Sequence, residues 1–87
     1  MVKFSLGQIV ATPTSLEILG ESGVRELLDR HSQGDWGEVE KDSREMNDAA
    51  VKAQNGDLLS IYTVNGQRVW VHTYIGYSTT ILLPEEW

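Results

Sequence analysis

His31 and Asp35 are the pair in this chain best suited to proton chemistry. They share the run "HSQGDWG" (residues 31–37), where a carboxylate four residues from an imidazole can orient the ring for general acid–base work. The same run also reads as a joint. Gly34 and Gly37 would give the backbone freedom between two helices, Asp35 would bind nearby N–H groups, and Trp36 would fill the core beneath the loop. His31 is then a buried histidine with a hydrogen-bond partner. Asp35 and Trp36 are carried forward as candidate binding residues.

A second group lies further on. Arg68, Trp70, His72 and Tyr74 alternate along "QRVWVHTY", so in a strand all four point to one face. Tryptophan, tyrosine and arginine dominate the energetics of protein interfaces, which makes Trp70, His72 and Tyr74 candidate binding residues. The plainer reading places Trp70 in the core and leaves the others half-solvated. Thr79 and Thr80 add hydroxyls, but no glycine-flanked nucleophile turn surrounds them.

Other chemistries lack their residues. His31, Asp35, Glu38 and Asp42 make a poor metal set in a chain with two histidines and no cysteine. "GDWGEVEKD" lacks the alternation of a calcium loop, and "GESG" has no lysine where a phosphate loop needs one. No metal and no cofactor are expected.

The elements that must position these residues can be read from periodicity. Ile9-Val10-Ala11 suggests a short strand ending before Pro13, and Thr12-Pro13 is a helix start. Gly20 should stop that helix and Ser22 should cap the next, in which Val24, Leu27, Leu28 and His31 form one stripe. "EVEKDSREMNDAAVKAQ" reads as a third helix that buries Met46, Ala49, Ala50 and Ala53. "DLLSIYTV", Asn65-Gly66 and "QRVWVHTYI" make a hairpin, and "STTILLP" a further strand. The expectation is one α+β domain over residues 1–87: a short N-terminal strand, three helices, then a three-stranded antiparallel meander packed on them.

With Val64 opposite Gln67, one hairpin face carries Leu58, Ser60, Tyr62, Val69, Val71 and Thr73. The other carries Leu59, Ile61, Thr63, Arg68, Trp70, His72 and Tyr74. Both are apolar over much of their length, and helices easily cover only one. The second face is thus an aromatic contact surface or one side of a homodimer. Trp87, in "PEEW", either covers a core edge or is presented to a partner.

Composition narrows the setting. The chain has 87 residues, enough for one core. Seven basic against thirteen acidic residues give a net charge of −6, which disfavours direct nucleic-acid binding and favours a basic partner surface. Neither a signal peptide nor a membrane span is evident, and the absence of cysteine fits a cytoplasmic protein.

From "LGQIVATP" through the histidine–"GDWG" segment to "STTILLPEEW", the chain resembles a group of small bacterial plasmid- or mobile-element-related proteins. The matching residues are Leu6 to Pro13, His31, Gly34 to Gly37, Asp42, Asn47 and Thr79 to Trp87. Where that group has a charged turn before its last strand, "TYIGYS" carries neither acid nor arginine. The resemblance implies a biological setting and no particular activity.

The expected function is a non-enzymatic protein-interaction module of a mobile genetic element, in one version an acidic inhibitor of a host defence protein. The alternative is a small ribonuclease, because the layout also looks like that of barnase/RelE-type enzymes. Its catalytic residues would be His31, Arg68, His72 and Thr79 or Thr80. Convergence of His31 and His72 in an open cleft is what separates the alternative from the module.

Overall fold

The computed structural model describes residues 2–87. Met1, the first residue of the segment read for a signal peptide, lies outside them. The elements run β1 (Gln8–Ala11), α1 (Pro13–Ser32), α2 (Lys41–Ala53), β2 (Asp57–Val64), β3 (Gln67–Tyr74), β4 (Ser78–Leu82) and a closing 3-10 turn (Pro84–Glu86). This is an α+β fold with a four-stranded mixed sheet ordered β1-β4-β3-β2.

The hairpin has the expected register, with Val64 opposite Gln67 and Ile61 opposite Trp70. Asn65 and Gly66 both take positive φ, as a type I′ turn requires. The expected separate N-terminal strand instead joins the sheet. β1 runs parallel to β4, with Ile9 opposite Thr79 and Ala11 opposite Ile81, so the three-stranded meander becomes four strands of mixed direction.

Two helices replace the expected three. Thr12 caps α1 by accepting the Ser15 N–H, and Pro13 occupies the first turn. The break foreseen at Gly20 exists as a kink: Gly20 is non-helical at φ 69° and ψ 173°, yet the chain resumes the helix at once and continues to Ser32. The two segments therefore form one bent element lying across β2, β3 and β4. Its Leu27 packs there with Tyr62, Val69, Val71, Ile81 and Leu83.

The remaining helix is shorter than expected and turned differently. Residues 36–38 are engaged elsewhere, since Ile61 N–H donates to the Trp36 carbonyl at 3.1 Å and Glu38 N–H to the Ile61 carbonyl at 2.7 Å. This borrowed strand segment delays the helix until Lys41. Once begun, α2 turns Asn47 inward, and the Asn47 amide accepts the Leu59 N–H at 3.3 Å and donates to the Leu59 carbonyl at 2.9 Å. The expected stripe of Met46, Ala49, Ala50 and Ala53 is correspondingly displaced. Ala50 and Val51 pack inward, whereas Met46, 71% exposed, and Ala49 and Ala53 face solvent. An amide satisfying two edge groups on β2 outweighs the burial of one methionine.

Candidate functional site

His31 lies at the end of α1 and is fully buried. Its Nδ1 is 2.6 Å from Ser60 Oγ and its Nε2 2.9 Å from Thr73 Oγ1. Thr73 Oγ1 is 2.6 Å from Thr79 Oγ1, whose hydroxyl donates to the Leu6 carbonyl at 2.7 Å. That final carbonyl sets the direction of the chain as far as His31 Nε2. Thr79 gives its proton to Leu6, so Thr73 donates to Thr79 and His31 Nε2–H donates to Thr73. Nε2 therefore carries a proton, and burial, which disfavours the charged ring, leaves Nδ1 to accept from Ser60. Phe4 and Trp36 close over it edge-on at 5.3 and 5.6 Å between ring centroids. Burial lowers its pKa to about 3, with a smaller push from His72.

The rest of "HSQGDWG" is occupied in holding the turn. Arg30 Nε–H donates to Asp35 Oδ2 at 2.6 Å, and Gly37 N–H donates to Asp35 Oδ1 at 3.1 Å. Arg30 holds the Asp35 carboxyl below the usual carboxylate range, with help from the Gly37 N–H. The Arg30 guanidinium lies over the Tyr62 ring, and the Tyr62 hydroxyl donates to the Asp35 carbonyl at 2.6 Å. Burial pushes the Tyr62 phenol up to about 12. Trp36 is 4% exposed, and its indole N–H donates to Asp48 on α2. Trp36 thus fills the core beneath the loop, as the joint reading expects, and is not exposed as a contact residue; Asp35 points its carboxylate at Arg30 rather than at His31.

The sheet separates the residues proposed for ribonuclease chemistry. His31 and Thr79 lie on the face covered by α1. Arg68, His72 and Thr80 belong to the opposite face, where His72 and Thr80 are cross-strand neighbours. His31 and His72 share no cleft. Among the described residues no group of three acidic, histidine or cysteine side chains could hold a metal ion.

That opposite face carries the aromatic residues that sequence periodicity assigned to it. α1 packs on the other side, across β2, β3 and β4, and α2 packs on the edge strand β2. Tyr74 stacks on Tyr77 from the β3–β4 turn at 4.6 Å and 9° between ring planes, and both are exposed. Trp70 meets Trp87 edge-on at 5.6 Å, and His72 meets the same indole at 5.1 Å. Trp70 is half-buried under Trp87, with its indole N–H buried and unpartnered. Val10 extends this face onto β1.

Between this face and α2 runs a groove of about 420 Å³. Its lining includes Leu59 and His72 from the sheet, Met46 and Ser43 from α2, and Trp87 and Asp57. His72 Nε2–H donates to Asp57 Oδ1 at 3.0 Å. Glu86 holds the turn that places Trp87: its Oε1 accepts from the Leu83 N–H and the Thr12 hydroxyl, both at 2.8 Å. Periodicity missed Met46 and Asp57 as members of this surface. Met46 was assigned to the core because it falls in register with three alanines. Asp57 carried no signal beyond its position at a strand start.

Comparison with protein families, curated proteins and solved structures returned no match to this chain. No helix among the described residues is long and apolar enough to cross a membrane.

Proposed function

We propose that this protein is a non-enzymatic interaction module that docks a protein partner on the open face of its sheet. The observation that carries this reading is the uncovered aromatic surface: Tyr74, Tyr77 and Trp87 lie exposed beside Met46, while the reactive-looking histidine is sealed in the core. Exposed large apolar groups gathered on one side mark contact surfaces. The net charge of −6 favours a basic partner over a second copy of the chain, because two like-charged copies repel. The finer reading is an acidic inhibitor of a host defence protein, carried by a mobile genetic element. Its setting rests on the sequence resemblance, and its acidic character suits a target with a basic, nucleic-acid-handling surface.

The test is capture of partners by the tagged protein and two single variants of matched chemistry. Tyr74→Asp alters the open face, and Leu16→Asp alters an exposed position on α1. Loss of the captured protein with Tyr74→Asp alone is expected. Equal capture by all three proteins, or RNA cleavage abolished by His72→Ala, would overturn the reading.

A further inference from the structure

The groove between α2 and the open sheet face has a chemical character more specific than an apolar patch. We infer that it receives an arginine side chain of the docked partner, the guanidinium lying against the Trp87 indole and pairing with the Asp57 carboxylate. This rests on the docking role proposed above and names the chemistry of one contact within it.

Three observations converge on a cation carried by an alkyl stem. Among the described residues, Asp57 is the only acidic group lining the groove, and no lysine or arginine lines it. Its Oδ1 accepts from His72, while Oδ2 has no hydrogen bond from any described residue, and the side chain is 68% exposed. The walls are of the kind that cover methylenes and attract cations. Met46 and Leu59 supply aliphatic surface, and Trp87 supplies an exposed indole, the best aromatic partner for a guanidinium.

Arginine fits these groups better than lysine. Its planar head stacks on an indole while its N–H fork reaches a carboxylate oxygen in the same plane, whereas an ammonium group is a strongly hydrated point charge. The His72 bond engages Oδ1 and leaves Oδ2 as the oxygen available to a partner's N–H. The surplus of acidic residues over the whole chain adds a long-range field that draws a basic partner toward the surface.

The experiment is an NMR titration of the full chain with N-acetyl-arginine-methylamide, using the lysine and norleucine analogues as comparison probes. The arginine probe should shift the Trp87 indole N–H, the Met46 methyl group and the His72 ring, leaving Leu27 and Tyr62 in the core unmoved. Asp57→Asn and Trp87→Ala, both at exposed positions, should each weaken the effect about three- to fivefold. Equal shifts with norleucine would show a plain apolar groove and overturn the inference, as would equal shifts with lysine or silence at Trp87. Failure here with Tyr74-dependent capture intact removes only the arginine contact. Binding of the arginine probe without Tyr74-dependent capture leaves the groove chemistry standing and removes the docking role.

Discussion

At the scale of single residues, His31 and His72 show how environment decides what an imidazole does. His31 has both nitrogens committed to hydroxyls, in a chain of hydrogen bonds that ends on a backbone carbonyl. A second proton, on Nδ1, would place a charge on a ring wholly removed from solvent. The pH dependence of stability follows. The folded pKa of about 3 lies below the ordinary value of 6.5, so between these values the unfolded chain binds a proton that the folded chain does not. The His31 contribution is complete above about pH 6.5 and is lost as pH falls toward 3, at up to about 1.4 kcal/mol per pH unit. Urea unfolding of wild type and His31→Gln across this range checks it. The wild type should lose stability on acidification more steeply than the variant, and parallel curves would contradict the buried neutral ring.

At the scale of elements, the segment between the helices does more than turn the chain. Gly37 pairs with Ile61 as an extra strand residue, at φ 73°, and a methyl group there would run into the Ile61 carbonyl oxygen and the Tyr62 ring. Gly37→Ala should therefore cost about 3 kcal/mol or more, combining backbone strain with a clash. Gly66→Ala has open space around it and should cost about 1 kcal/mol from conformation alone. Thermal unfolding of the two variants reads the difference, and equal losses would remove the steric argument.

These contacts also show which parts of the structure were legible in the sequence. The hairpin was, because Asn65-Gly66 fixes its turn and the alternation fixes its faces. The helix start at Thr12-Pro13 was legible for the same reason: the signal is local. The parallel pairing of β1 with β4 was not, since it joins segments some seventy residues apart and leaves no local trace. The orientation of α2 was misread because Asn47 bonds the edge of a strand that begins ten residues later, and no period in the helix encodes that bond. The candidate site was half legible. Trp70, His72 and Tyr74 were placed on one face correctly, while Met46 and Asp57 needed the packing of α2 against β2.

At the scale of the whole molecule, the two faces of the sheet differ: α1 packs on one, and exposed aromatic side chains stand on the other. The covered face holds the buried hydroxyl–histidine chain and the apolar core, and the open face presents stacked aromatics beside the groove that holds Asp57. Site-directed photo-crosslinking in cells tests this division most directly, with a photoreactive phenylalanine placed in turn at Tyr74, at Met46 and, on α1, at Leu16. The account predicts one common partner band from Tyr74 and Met46 and none from Leu16. The same band from Leu16 at equal yield, with none from Tyr74 and Met46, would contradict it.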